Sequence, residues 1–155
     1  MTMLEIPNFG ELLAEHLSGV PAEAYPYLLS QLERTAADRY RGWAEEVPDH
    51  ADGLLACADR EDEIADRAEA LFPPNDEHRA LVAGIIPNAK ATYYSAFEPY
   101  TPFEQMTIQA NAERQGANAW QNLKAVHPQH ADALDAISAI ELESADFLDG
   151  LLATV

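Results

Sequence analysis

Apolar residues recur along this chain at helical rather than strand spacing. Over 21–46, Ala37 and Tyr40 share a face with Glu33; over 50–71, Leu54, Ala58, Ala65 and Ala68 share one with Glu61, and Phe72 continues it. Farther on, Met106, Ala110, Ala117 and Trp120 line up with Glu113, and Leu134, Ala145, Leu148 and Leu152 with Glu141. Prolines punctuate the pattern. Pro21 opens the first long helix, with Glu23 suited to its positive end, and Val47-Pro48 closes it because the residue before a proline avoids helical angles. Asp49 is placed to cap a second helix over about 50–71, which Pro73-Pro74 ends; the connection is so short that the two helices are antiparallel neighbours. A third helix over about 102–126 and a fourth over about 129–153 meet at His127-Pro128. A short amphipathic helix over 9–17, carrying Leu12, Leu13 and Leu17, is expected to lie across the bundle as a lid, and 73–101 is expected to form two short helices, 76–84 and 88–97, broken at Pro87.

The two long hairpins repeat one another. Residues 33–72 aligned with 113–152 share 14 of 40 positions without a gap, among them Glu33-Arg34 with Glu113-Arg114, Pro48 with Pro128, His50-Ala51-Asp52 with His130-Ala131-Asp132, and Glu61 with Glu141. A duplicated helical hairpin explains this better than shared composition. The segment joining the copies does not repeat, and it is long enough to cross the length of a bundle.

Composition narrows the class. With 155 residues the chain is one domain of ordinary size, divided into an N-terminal helix (1–20), a first hairpin (21–72), a crossover (73–101) and a second hairpin (102–153). A net charge of −18 with only nine Lys and Arg argues against nucleic acid or anionic lipid as partners; it leaves a solvated acidic surface or the attraction of cations. The single cysteine, Cys57, has no partner for an internal disulfide and falls one turn before Glu61, where a small buried residue is expected. Neither a leader-like N-terminus nor a membrane-spanning run is present, so the expected location is the cytoplasm. Gly-rich phosphate loops, CxxC pairs and HExxH helices are also missing, which disfavours nucleotide binding and hydrolysis.

The chemistry lies in the glutamates that interrupt the apolar stripes. Glu33, Glu61, Glu113 and Glu141, one per long helix, point at a single core, and four uncompensated carboxylates there would each cost several kcal/mol. Glu63 and Glu143, roughly 200° around their helices from Glu61 and Glu141, face water. His50 and His130 stand at helix starts, about 16 Å of axis away, and read as surface or cap residues; His16 and His78 fall in irregular segments able to fold over a bundle end. Gly42 and Gly116, inside helices, each cost about 1 kcal/mol relative to Ala unless close helix approach offsets it.

On these residues the chain resembles the ferritin-like superfamily of di-iron carboxylate proteins, which includes ferritins, bacterioferritins and rubrerythrins. The resemblance runs from about Pro21 onward: two related hairpins, a long crossover, a mid-helix glutamate in each helix, and 28 residues between Glu33 and Glu61 and again between Glu113 and Glu141. It implies an all-α, ferritin-like four-helix bundle, with Glu33, Glu61, Glu113 and Glu141 as ligands of iron or manganese and Tyr40 as a near-site redox neighbour. The chain departs from the family's Glu-x-x-His pattern in both copies, because Ile64 follows Glu61 and Ser144 follows Glu141 where histidines are expected.

Three readings follow. In the first, the four glutamates hold one or two hard ions (iron, manganese, calcium or magnesium) through oxygen alone, with Tyr40 or Trp120 beside any redox chemistry. In the second, the site is degenerate and metal-free, its carboxylates satisfied by protons or by Arg34 and Arg114. In the third, the aromatic residues Tyr25, Tyr27, Tyr40, Trp43, Tyr93 and Tyr94, with Phe97, Tyr100, Phe103 and Trp120, line a small-molecule pocket or the interface of a homodimer.

Overall fold

Six α-helices account for most of residues 4–155, the part of the chain that the computed structural model describes, and no strand occurs among the described residues. Helix α1 is Phe9–Leu17, where the sequence pattern puts it, capped by Asn8 through its side-chain oxygen on the Glu11 N–H (3.0 Å). Helix α2 is Tyr25–Glu46, entered through a 3₁₀ turn at Ala22–Ala24, and α3 is Ala51–Leu71. Helix α4 is Asp76–Ser95, and α6 is Ala131–Leu152. Between them α5, Pro102–Asn122, begins with a capping box in which Glu104 N–H donates to Thr101 Oγ1 (3.3 Å) and Thr101 N–H to Glu104 Oε1 (3.0 Å).

The sequence repeat is a repeat of turn geometry. Pro48–His50 and Pro128–His130 form matching 3₁₀ turns, closed by His50 N–H on Val47 O (3.0 Å) and His130 N–H on His127 O (2.9 Å). Backbone angles agree closely: φ,ψ are −115°, 12° at His50 and −107°, 15° at His130. This turn displaces the expected cap. Asp49 lies exposed within it, and His50 occupies the N-cap of α3 without a side-chain bond, as does His130 at α6.

The crossover departs from expectation in one respect: 76–95 is a single helix with Pro87 inside it. Pro87 cannot donate to the Ala83 carbonyl, but both residues are exposed, so water can take up the freed oxygen. Val82, Ala89 and Tyr93 bury the opposite stripe. Asn75 caps the helix by accepting from His78 N–H (2.7 Å), and Asp76 and Glu77 suit its positive end.

Helices α2 and α3 form one hairpin and α5 and α6 the other, and the hairpins meet along α3 and α6. The α2–α3 seam carries Arg41 on Asp62 (2.5 Å), Arg34 on Asp66 (2.7 Å) and Gln31 on Glu69 (2.9 Å), an order that only antiparallel helices give. Helix α4 docks on α2 and carries α1 on itself. At that crossing the Arg39 guanidinium lies over the rings of Trp43 (4.7 Å), Tyr94 (5.2 Å) and Phe97 (5.1 Å), and Nη2 donates to Gln105 Oε1 (2.5 Å). No helix among the described residues is long and apolar enough to cross a membrane.

The core comes in two parts. Tyr40, Trp43, Leu54, Cys57, Phe97 and Met106 belong to one apolar cluster, and Ile64, Ala68, Trp120, Leu134 and Ile137 to a second. Glu61, Glu113 and Glu141 come between these two sets along their respective helices. The position of Pro87 yields a test: Pro87→Ala restores a backbone donor on an exposed face and is expected to raise the unfolding free energy in urea by about 1–2 kcal/mol. A fall in stability would mean that the proline shapes a bend the docking of α4 requires.

Candidate metal centre

Each of the four long helices of the hairpins delivers one glutamate to the gap between the clusters. Glu61, Glu113 and Glu141 are 0–1 % exposed, and Glu33 is partly buried. Oxygens of Glu33, Glu61 and Glu141 all lie within 4.8 Å of one another, a separation that a single cation ligated at about 2.0–2.6 Å can bridge. Glu113 is held differently. Its Oε1 accepts from Tyr40 OH (2.7 Å) and from Gln109 Nε2 (2.9 Å), and Gln109 Oε1 in turn accepts from Tyr93 OH (2.5 Å). Trp120 Nε1 donates to Glu33 Oε1 (3.2 Å).

These bonds leave most of the buried oxygens unpaired. Both oxygens of Glu61, Oε2 of Glu113 and Oε1 of Glu141 have no hydrogen-bond partner. Burial, followed by the charges of Glu113, Glu33 and Glu141, pushes the Glu61 carboxyl well above the usual carboxylate range; burial, then Glu33 and Glu113, does the same to Glu141. The phenols of Tyr40 and Tyr93 are also raised, by burial first and then by Glu113, so both remain protonated donors.

Several expected partners are engaged elsewhere. Arg34 pairs with Asp62, Asp66 and Glu69, and Arg114 with Asp149, so neither compensates the core glutamates. The reason is rotation: a residue next to an inward glutamate lies about 100° around the helix from it. His16, in α1 rather than an irregular segment, meets Thr92 Oγ1 (2.9 Å), and His78 sits in the first turn of α4; neither lines the site. His50 stacks edge-on against Phe103, and His130 against Phe72. Glu63 and Glu143 are exposed, as their helical phase requires.

Three residues after Glu61 and Glu141, where the resemblance led to an expectation of histidine, the two halves differ. Ile64 is fully buried in the apolar cluster with Trp120 and Ile137. Ser144, equally buried, accepts from Arg60 Nε (2.9 Å), whose Nη2 reaches the buried Cys57 Sγ (3.1 Å). Among the described residues, no Lys, Arg or His donates to any of the four carboxylates.

Of Gly42 and Gly116, only Gly116 belongs to the site. A Cβ there would stand 2.8 Å from Glu141 Oε2, whereas one at Gly42 would meet nothing within 4 Å. Gly116 thus leaves the space that the Glu141 carboxylate occupies, and Gly42 brings no helix closer. Sequence reasoning passed over Gln109, which carried a readable signal, since it lies one turn before Glu113 on the same face and is polar within an apolar stripe. Tyr93, grouped from the sequence with the aromatic residues of a pocket or interface, lines the cavity together with Tyr25, and its bond to Gln109 had no sequence signal.

All four glutamates open on a cavity of about 350 Å³ roofed by Phe9, Leu13 and Leu17 of α1. The lid expected from the sequence therefore covers the site. Compared with protein-family models, with curated proteins and with solved structures, the chain matches none of them.

The raised carboxyls have a consequence for stability in metal-free buffer. Because Glu61 and Glu141 hold protons in the folded state at pH values where the unfolded chain has lost them, their contribution is complete below about pH 4.5 and is lost as pH rises through their folded values. Urea unfolding in chelator is expected to show declining stability from mildly acidic to alkaline pH, and the double variant Glu61→Gln/Glu141→Gln is expected to remove most of that slope. Equal slopes in the two proteins would show that the core carboxyls are not its source.

Proposed function

We propose that this chain is a ferritin-like bundle whose core carboxylates Glu33, Glu61, Glu113 and Glu141 hold hard divalent cations, with iron or manganese the ions best suited to the centre. The observation that carries this reading is the set of unpaired oxygens on Glu61, Glu113 and Glu141, which are buried with no donor facing them. An unpartnered buried carboxylate costs several kcal/mol, and a cation is the occupant that satisfies several at once. The donor set fits a hard ion through oxygen: Glu33, Glu61 and Glu141 converge, and Glu113 is oriented beside them by Tyr40 and Gln109.

Iron bound there would supply redox and oxygen-activating chemistry. The chain's own part is to orient and to shield. Tyr40 and Gln109 fix one oxygen of Glu113, Trp120 fixes one of Glu33, and Gly116 leaves room for Glu141. Tyr40, protonated and hydrogen-bonded to a ligand carboxylate, is the side chain placed to exchange a proton with the centre.

A second reading, a metal-free scaffold for a small molecule or protein partner, is favoured by Ile64 and Ser144, which remove both nitrogen ligands, and by the raised carboxyls, which protons alone can satisfy. Metal analysis separates the two. Protein purified without chelator is expected to hold about one or more equivalents of iron or manganese, and added ion at 100 times its Kd to stabilise the fold by about 2.7 kcal/mol. Glu61→Gln and Glu141→Gln are expected to lose the metal while gaining about 1–3 kcal/mol in metal-free buffer above the usual carboxylate range, since each removes a group that must either take up a proton on folding or be buried charged. A wild type that neither holds nor is stabilised by divalent ions would leave the scaffold reading.

A further inference from the structure

The cavity beside the carboxylates has a selectivity of its own. Helices α3 and α6 pack directly, whereas α2 and α5 stand apart across it. Large side chains span that gap towards its two ends: Tyr40 reaches Glu113 and Trp43 Nε1 reaches Gln105 Oε1 (2.8 Å) on one side, and Trp120 reaches Glu33 on the other. Between these struts the apolar stripe that α5 presents is Ala112, Gly116 and Ala119, one turn apart, and α2 answers with Leu29, Leu32 and Ala36. The small stripe on α5 is what keeps the space open.

Charge decides what enters. The lining holds four carboxylates and not one Lys, Arg or His; its other polar groups, the amides of Asn8, Gln109, Gln115 and Asn122 and the phenols of Tyr25 and Tyr93, are neutral. With no ion bound, no side chain there would neutralise an acid, and the carboxylate layer of Glu33, Glu61, Glu113 and Glu141 disfavours one. At about 350 Å³ the space falls at the small end of the range for organic ligands, roughly 300–1,000 Å³.

We propose that this cavity between α2 and α5, under α1, binds an uncharged, largely apolar small organic molecule and rejects its acidic analogues. Where the cation centre is present, the bound molecule lies next to it and is the candidate substrate. That role rests on the proposed function, whereas binding itself does not.

A matched pair of fluorescent probes tests this: 1-anilinonaphthalene, which is neutral, and its 8-sulfonate, which carries the same body with a negative charge. Chelator-treated wild-type protein, in which no ion offsets the carboxylates, is expected to bind the neutral probe saturably and at least tenfold more tightly than the sulfonate. Ala112→Phe and Ala119→Phe, each filling the space from α5, are expected to weaken the neutral probe at least tenfold while leaving helix content and manganese binding unchanged. Equal affinity for the two probes in the wild type overturns the proposal whatever the variants do, as does neutral-probe binding that survives both folded variants. The metal reading fails separately: if the wild type takes up no manganese yet keeps its preference for the neutral probe, the cavity proposal stands and the cation centre does not.

Discussion

Burying like charges together is among the least favourable things a protein core can do, and this fold is arranged around having done it. Glu61, Glu113 and Glu141 are buried between two apolar clusters, with Glu33 beside them and no basic side chain bonded to any of the four. The clusters supply the hydrophobic stabilisation, and the acidic layer between them opposes it. A bundle of this length had room for leucine at every one of those positions. That it carries carboxylates from four different helices at one level is the feature for which a structural role alone gives no account.

The surroundings of the layer are organised to hold these groups in place rather than to neutralise them. Tyr40, Gln109 and Trp120 each spend a donor on one carboxylate oxygen and leave its neighbour free, and Tyr93 orders Gln109 in turn. Basic residues are kept off the carboxylates: Arg34, Arg41 and Arg114 tie the two helices of each hairpin to one another along their wet faces, and Arg39 is held by aromatic rings and Gln105 at the α4 crossing. An acidic chain with nine cationic residues thus places several of them in inter-helix seams.

Much of this was legible from spacing. Helix α1 and the antiparallel hairpins followed from apolar periodicity and prolines, and the inward phase of Glu61, Glu113 and Glu141 followed from their positions within apolar stripes. Three things were not. Pro87 reads as a break because local rules forbid it, but α4 is anchored along one stripe and wet along the other, so tertiary docking outweighs the lost bond. Asp49 has the chemistry of a cap, yet Pro48 fixes a 3₁₀ turn that hands the capping position to His50. Arg34 and Arg114 adjoin the glutamates in sequence, and adjacency on a helix is a change of face. A pocket was expected from the aromatic residues, and Tyr25 and Tyr93 do line one, but most of the others named with them pack elsewhere, and the space itself arises beside Ala and Gly on α5, which pattern reading counts as helix formers or breakers and never as empty space.

The residues that stand three places after Glu61 and Glu141 give the molecule a handedness that its repeat lacks. On the α3 side Ile64 presents hydrocarbon; on the α6 side Ser144 presents a hydroxyl already engaged by a guanidinium that also touches a thiol. Two ancestral halves with superimposable turns therefore frame a centre whose left and right are chemically unlike. Paired guests seated there would not be twins: one would border a greasy wall and the other a polar, sulfur-containing one, and exchange, oxidation or departure of either would proceed on its own terms.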